Sequence, residues 1–225
     1  MKRFGVFLAV AALSLTGWAG CSPKASAPEL SPPAAEAAGA SGGVLFEDDF
    51  RSARRWLESS EPPCQAVYTE KGLLIRNIAA SGTCEENLLA AGQFPAHVRI
   101  EASLRKVEGP SDRDYGLKFG FGAEPGAPYF TFTVKGDGSF ALAWYGGIWK
   151  TLLPWQMAPN ARPPPEGAAR HLAAEVRGRQ IRVFLDGREQ GKARAAGNVA
   201  GYVGFYLDAP GLAVEFTHLR VASIE

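Results

Sequence analysis

Alternation with a period of two dominates the chain from Val44 onward, and it restricts the fold more than any other feature. Val98, Ile100, Ala102 and Leu104 alternate with Arg99, Glu101, Ser103 and Arg105. Tyr115, Leu117, Phe119 and Phe121 alternate with Gly116, Lys118, Gly120 and Gly122, and Phe130, Phe132 and Val134 with Thr131, Thr133 and Lys135. Successive side chains of a strand point to opposite faces, so each apolar set covers one face of a half-buried strand. Strands are expected near 44–50, 66–69, 73–78, 87–92, 97–107, 114–122, 128–135, 139–145, 148–153, 171–177, 180–186, 188–193, 200–207 and 213–222. No segment keeps a helical period over ten residues; Ser52 to Glu58 admits one helical turn.

Turn chemistry separates the strands. Gly136-Asp137-Gly138, Asp186-Gly187 and Gly146-Gly147 suit tight hairpins, where glycine supplies the positive φ of primed turns. In the last strand Val214 and Phe216 keep one phase, Leu219 and Val221 the other, so a β-bulge is expected at Thr217-His218. Residues 154–170 (PWQMAPNARPPPEGAAR) read as a long loop, because their prolines exclude a central strand. The apolar first and last strands are expected to be neighbours. Many short antiparallel strands with tight turns make an all-β, two-sheet sandwich or jelly roll.

Charge excludes some partners. There are 24 Lys plus Arg against 23 Asp plus Glu, a formal +1. No overall field draws the chain to nucleic acid or to an anionic surface.

The N-terminus reads as an address. Lys2-Arg3 precedes an apolar stretch, Phe4 to Leu15, that is too short to span a bilayer as a mature helix. Ala19-Gly20-Cys21 resembles the bacterial lipobox, with Trp18 where an aliphatic residue is usual. The resemblance implies a signal peptide over 1–20, a Cys21 acylated with palmitate-type chains, and a membrane-anchored lipoprotein of the bacterial cell envelope, facing periplasm or exterior. The segment Ser22 to Gly43 is rich in Ala, Pro, Ser and Gly and buries too little apolar surface to order itself. Residues 21–43 therefore read as lipidated cysteine and tether, spanning roughly 25 Å on average, and 44–225 as the sandwich domain. Cys64 and Cys84 remain as an even pair in an exported protein, the sign of one disulfide.

Further residues resemble a family. Phe46-Glu47-Asp48-Asp49-Phe50 with Trp56, Tyr115 to Phe119, Tyr129 to Phe132 with Gly136-Asp137-Gly138, and Gly147-Ile148-Trp149 are similar to concanavalin A-like jelly rolls. So are Leu172 to Arg177 with Gln180 to Phe184 and Asp186-Gly187, Gly201 to Phe205, and Val214 to Val221. The branch most resembled is that of 3-keto-disaccharide hydrolase-like and laminin-G-like domains. The resemblance implies a fold that hosts lectins, carbohydrate-binding modules and glycoside hydrolases. The Glu-x-Asp-x-x-Glu run of laminarinase-type enzymes is absent. Phe216-Thr217-His218 replaces the Phe-Asp-Asn that would complete a calcium site with Asp48-Asp49. No metal, cofactor or catalytic residue is therefore assigned.

Aromatic residues are the best lead to function. Trp144, Tyr145, Trp149 and Trp155 lie within twelve residues, with Tyr129 just before. Trp144 shares the phase of Phe140 and Leu142 and is expected in the core. Tyr145, Trp149 and Trp155 are expected to face a ligand, with Lys118 and Arg99 as hydrogen-bond donors. The expected function is glycan binding without catalysis. A glycoside hydrolase or lyase is the alternative, and it needs two carboxylates in one cleft; Glu101, Glu175 and Asp114 are the candidates. A structural lipoprotein contacting an envelope protein is the third reading.

Overall fold

The alternating runs fold as strands. The computed structural model describes residues 42–225 apart from 53, 54, 57, 89–91, 159–163, 166 and 198. The expected signal peptide, Cys21 and nearly all of the tether lie outside the described residues. The strands are β1 (Val44–Asp48), β2 (Cys64–Tyr68), β3 (Leu73–Asn77), β4 (Cys84–Asn87), β5 (His97–Glu108), β6 (Tyr115–Phe121) and β7 (Tyr129–Val134). They continue with β8 (Ser139–Tyr145), β9 (Trp149–Met157), β10 (Arg170–Arg177), β11 (Gln180–Leu185), β12 (Arg188–Arg194), β13 (Tyr202–Leu207) and β14 (Ala213–Ser223).

They form two antiparallel sheets. The eight-stranded sheet runs β12-β11-β10-β5-β14-β3-β2, and β1 joins it by pairing with β14. The six-stranded sheet runs β4-β13-β6-β7-β8-β9. Their inner faces meet in one core, in which Phe205 of β13 stacks on Phe216 of β14 with ring centroids 3.7 Å apart. Trp56 stacks on the other side of Phe205 at 4.8 Å. Each such fully buried large side chain contributes about 1.5–3 kcal/mol through removal from water. The described core lies between Phe46 and Val221, and all fourteen strands of the two sheets lie within residues 44–223. The Cys64–Cys84 disulfide is formed, and it ties β2 of one sheet to β4 of the other.

The expected turns and neighbours are present. Hairpins join β7 to β8, β8 to β9 and β11 to β12. β1 lies beside β14, and the β14–β5 register slips between Phe216 and His218, where the bulge was placed. Two readings need correction. Residues 154–157 are not loop: β9 continues through Pro154 to Met157. It is the outermost strand of its sheet, so Pro154 removes no central hydrogen bond. The strand expected near 87–92 lies at Cys84–Asn87, with Leu88 still bonded to Val203 O at 2.9 Å. The expected helical turn at 52–58 falls partly outside the described residues.

The outer face of the eight-stranded sheet carries an ion lattice. Arg99 binds Glu101 at 2.7 Å and Glu175 at 2.9 Å, Arg182 binds Glu175 at 2.8 Å, and Arg220 binds Glu101 at 3.1 Å. Glu101 and Glu175 do converge, but on arginines rather than in a catalytic cleft.

Candidate functional site

The outer face of the six-stranded sheet forms a groove, and strand register explains its shape. Tyr206, Gly116, Thr133 and Ala141 stand side by side across β13, β6, β7 and β8. In the next row are Asn87, Gly204, Lys118, Thr131, Ala143 and Thr151. The floor is thus made of glycine, alanine and threonine, with Lys118 the one long side chain rising from its middle. Two of these glycines are enforced by contact: a Cβ on Gly116 or Gly204 would stand 2.4 Å or 2.2 Å from a neighbouring backbone oxygen.

Trp149 lies across this floor. It sits on β9, yet its ring meets Tyr206 of β13 at 6.0 Å. Those strands are separated by β8, β7 and β6. Four strand spacings come to roughly 19 Å, so the sheet must curl toward this face for the rings to touch. The same indole meets Tyr145 at 5.1 Å and Tyr129 at 5.8 Å, and it remains 49% exposed. The three tyrosines meet the indole edge-on or tilted, and about half of its surface is left to solvent. The hairpin behind it is tight: the Trp144 ring packs over Gly146 so closely that a Cβ there would come within 2.1 Å.

The groove has two compartments. One, of about 430 Å³, is lined by Glu85, Asn87, Lys118, Phe121, Tyr129 and Tyr145 with the loop 122–127. Lys118 is buried at its base, 2.6 Å from Glu85 Oε2 and 3.1 Å from Asn87 Oδ1. Its ammonium also lies 4.4 Å from the ring centroids of both Phe121 and Tyr129, a cation–π sandwich. The Tyr129 hydroxyl donates to Glu85 Oε1 at 2.7 Å. Burial, reinforced by that carboxylate, pushes the Tyr129 hydroxyl far above its usual range, so it stays a donor.

The second compartment, of about 230 Å³, is lined by Asp114, Thr131, Thr133, Ala141, Ala143, Trp149, Thr151, Trp155, Tyr206 and Asp208. Asp114 directly precedes Tyr115 and Asp208 directly follows its partner Leu207, and Asp208 N donates to Asp114 O at 2.9 Å. Burial, and next the neighbouring Asp208 charge, push the Asp114 carboxyl up to about 6. Arg113 holds Asp208 Oδ2 at 3.3 Å. Trp155 forms the far wall, with the Lys135 ammonium 4.2 Å from its ring centroid.

Of the residues singled out in the sequence, Tyr145, Trp149, Trp155 and Lys118 come together here. Arg99 does not: it lies on β5 of the other sheet, within the ion lattice. Trp144 packs on the core as expected. Glu85 and Glu86 face opposite sides; Glu85 enters the groove, while Glu86 stands opposite Phe205, where burial raises its carboxyl. Asp48 and Asp49 accept bonds from the turn after β1, Asp48 from Phe50 N at 2.7 Å and Asp49 from Ser52 N at 3.0 Å. His218 contacts Glu47 at 3.0 Å, His171 lies 4.0 Å from Glu101, and His97 begins β5. Among the described residues no three His, Cys, Asp or Glu side chains cluster as a metal site. Sequence reasoning missed Glu85, Asn87, Tyr206 and Asp208. The one signal was phase: Thr131, Thr133 and Tyr129 share a face opposite Phe130 and Phe132.

No protein-family model and no curated protein matches the sequence. Solved structures do match the fold. The carbohydrate-binding module CBM66 from Bacillus subtilis superposes with a TM-score of 0.60 at 14% identity, over 78% of this chain and 100% of that one. A Bacillus subtilis protein of unknown function with a galectin-like fold gives 0.64 at 14% identity, over 82% and 98%. The fold is a concanavalin A-like jelly roll. A Bacillus licheniformis β-glucanase shares the jelly roll as well, with a TM-score of 0.57 at 10% identity over 82% of this chain and 99% of its own. Identities this low speak for the jelly roll alone.

Proposed function

We propose that this jelly roll is a non-catalytic glycan-binding module, held on the bacterial cell envelope by a lipid on Cys21. The observation that carries the reading is Trp149, a half-exposed indole laid across a groove and held in place by edge-on and tilted contacts with Tyr129, Tyr145 and Tyr206. Sugars present flat C–H faces that pack on such rings. The surrounding Glu85, Asn87, Lys118, Thr131, Thr133 and Thr151 offer both donors and acceptors to hydroxyls. Two of the three jelly-roll neighbours, a carbohydrate-binding module and a β-glucanase, support the choice of glycan as ligand class.

The test is a glycan-array screen of residues 42–225, with calorimetry on each hit. Saturable binding is expected, weakened at least tenfold in Trp149→Ala, equivalent to about 1.4 kcal/mol. Absence of binding across a broad array, with the domain folded, overturns the reading in favour of a protein contact.

One observation favours a second reading. Asp114 and Asp208 are adjacent in one compartment, with the Asp114 carboxyl raised and Asp208 held by Arg113, the pattern of an acid beside a carboxylate. Hydrolysis of a bound glycan, abolished in Asp114→Asn with binding retained, would establish that reading over the binding module.

A further inference from the structure

Cations on the outer face of the eight-stranded sheet are matched by carboxylates over most of its width, and at one end the matching stops. Arg177, Arg179, Lys192 and Arg194 line a cavity of about 620 Å³ with Gln180 and Ala193. Register puts them together: Arg177 stands opposite Gln180, Gln180 opposite Arg194, and Lys192 opposite Arg182. Among the described residues none of the four has a carboxylate within ion-pair distance; Glu175 and Glu189 on this face are bound by Arg99 and Arg182, and Lys192 adds only a longer-range attraction to Glu189. Arg179 spends its Nε on Ala195 O at 3.1 Å. His97 stands opposite Arg177. Glu225 follows β14 at this end, with no ion pair to the four cations.

The polypeptide enters the domain at this same end. Ser223 N donates to Gly43 O at 2.9 Å, Val44 stands opposite Ala222, Ser223 opposite Val98, and His97 opposite Arg177. The row of Gly43 and Ser223 runs on through Val98, Val176, Ile181 and Ala193, and His97, Arg177, Gln180 and Arg194 stand one residue further toward the same strand ends. Gly43 therefore lies at the strand ends that bear the unpaired cations, three strands from Arg177 and five from Arg194.

We propose that this end of the sandwich docks on an anionic phospholipid surface. The choice of a membrane as the anion's source rests on the lipid-anchor reading; the unpaired cations do not. An anchor at Cys21 would keep the domain within tether reach of lipid headgroups, where even weak attraction acts at high effective concentration. Guanidinium groups bind phosphate through paired N–H donors. Cations attract an anionic leaflet within a Debye length, about 8–10 Å at physiological salt. The net charge of +1 conceals this, because the acids that balance the count lie elsewhere. Docked by this edge, the domain would keep the groove on its other sheet open.

The test is co-sedimentation of residues 42–225 with vesicles of phosphatidylcholine alone or mixed with phosphatidylglycerol. Binding to the mixed vesicles at low salt, release at high salt, and no binding to phosphatidylcholine alone are expected. The combined Arg177→Gln, Arg179→Gln, Lys192→Gln and Arg194→Gln variant should lose about tenfold or more in partition. Arg194→Glu, a single change at an exposed site, should weaken binding in the same direction. Equal binding to both vesicle types, or an unchanged combined variant, overturns the proposal. Thermal stabilisation by inorganic phosphate without vesicle binding overturns it too, in favour of a free-anion pocket. The combined variant should keep any glycan binding, so loss of one activity is told apart from loss of the other.

Discussion

Asp114 shows how one side chain reports the character of the groove. Its carboxyl is raised to about 6 by burial and then by Asp208. A folded-state value above the ordinary 3.8 means that the folded protein binds this proton more tightly than the unfolded chain does. Its contribution to stability is therefore full below about pH 4 and is lost as pH rises to about 6. Asp114→Asn, which keeps the shape without the charge, should gain stability over the parent between those values and hold the gain at pH 7. Urea unfolding of both proteins at pH 4 and pH 7 checks this; an equal difference at the two values would contradict it. Single residues were legible in part. Lys118 lies on the polar phase of its strand and does enter the groove, because phase alone decides the face. Arg99 lies on an equally polar phase and misses it, because phase does not say which sheet a strand joins. Asp208 follows a strand whose partner, β6, is some ninety residues earlier, and nothing local marks that pairing.

At the scale of elements, turn chemistry carried most of the information. Glycine pairs fixed the hairpins, and the phase slip fixed the bulge, because both follow from backbone geometry within a few residues. Pro154 misled for the same reason that it normally informs: it forbids a central strand and permits an outer one, and the outer place of β9 is a tertiary fact. The two short strands β2 and β4 are weak by themselves, with five and four residues. They are linked across the sheets by Cys64–Cys84, which closes a segment of 20 residues. Restricting the unfolded chain by a loop of that length contributes about 3 kcal/mol. Cys64→Ser with Cys84→Ser should lower stability by about that amount, read as a lowered urea midpoint with a somewhat steeper slope, because the unlinked unfolded chain exposes more surface. A double variant as stable as the parent would show that β2 and β4 dock without the link.

At the scale of the whole molecule, period two and turn spacing sufficed for the two-sheet architecture. The groove was less legible, because it is made by rows that cross strands distant in sequence. Envelope anchoring is a property of the full chain, and so is its test. Cys21→Ala should move the protein from the membrane fraction to the soluble fraction; continued membrane attachment would refute the lipid anchor. The pairing of β1 with β14 adds a mechanical consequence. Backbone hydrogen bonds between antiparallel strands run perpendicular to the strands. A pull applied at Gly43 along the axis of β1 strains the bonds to β14 together instead of opening them one after another. The domain meets a load from that side in shear, the direction in which a short strand resists best.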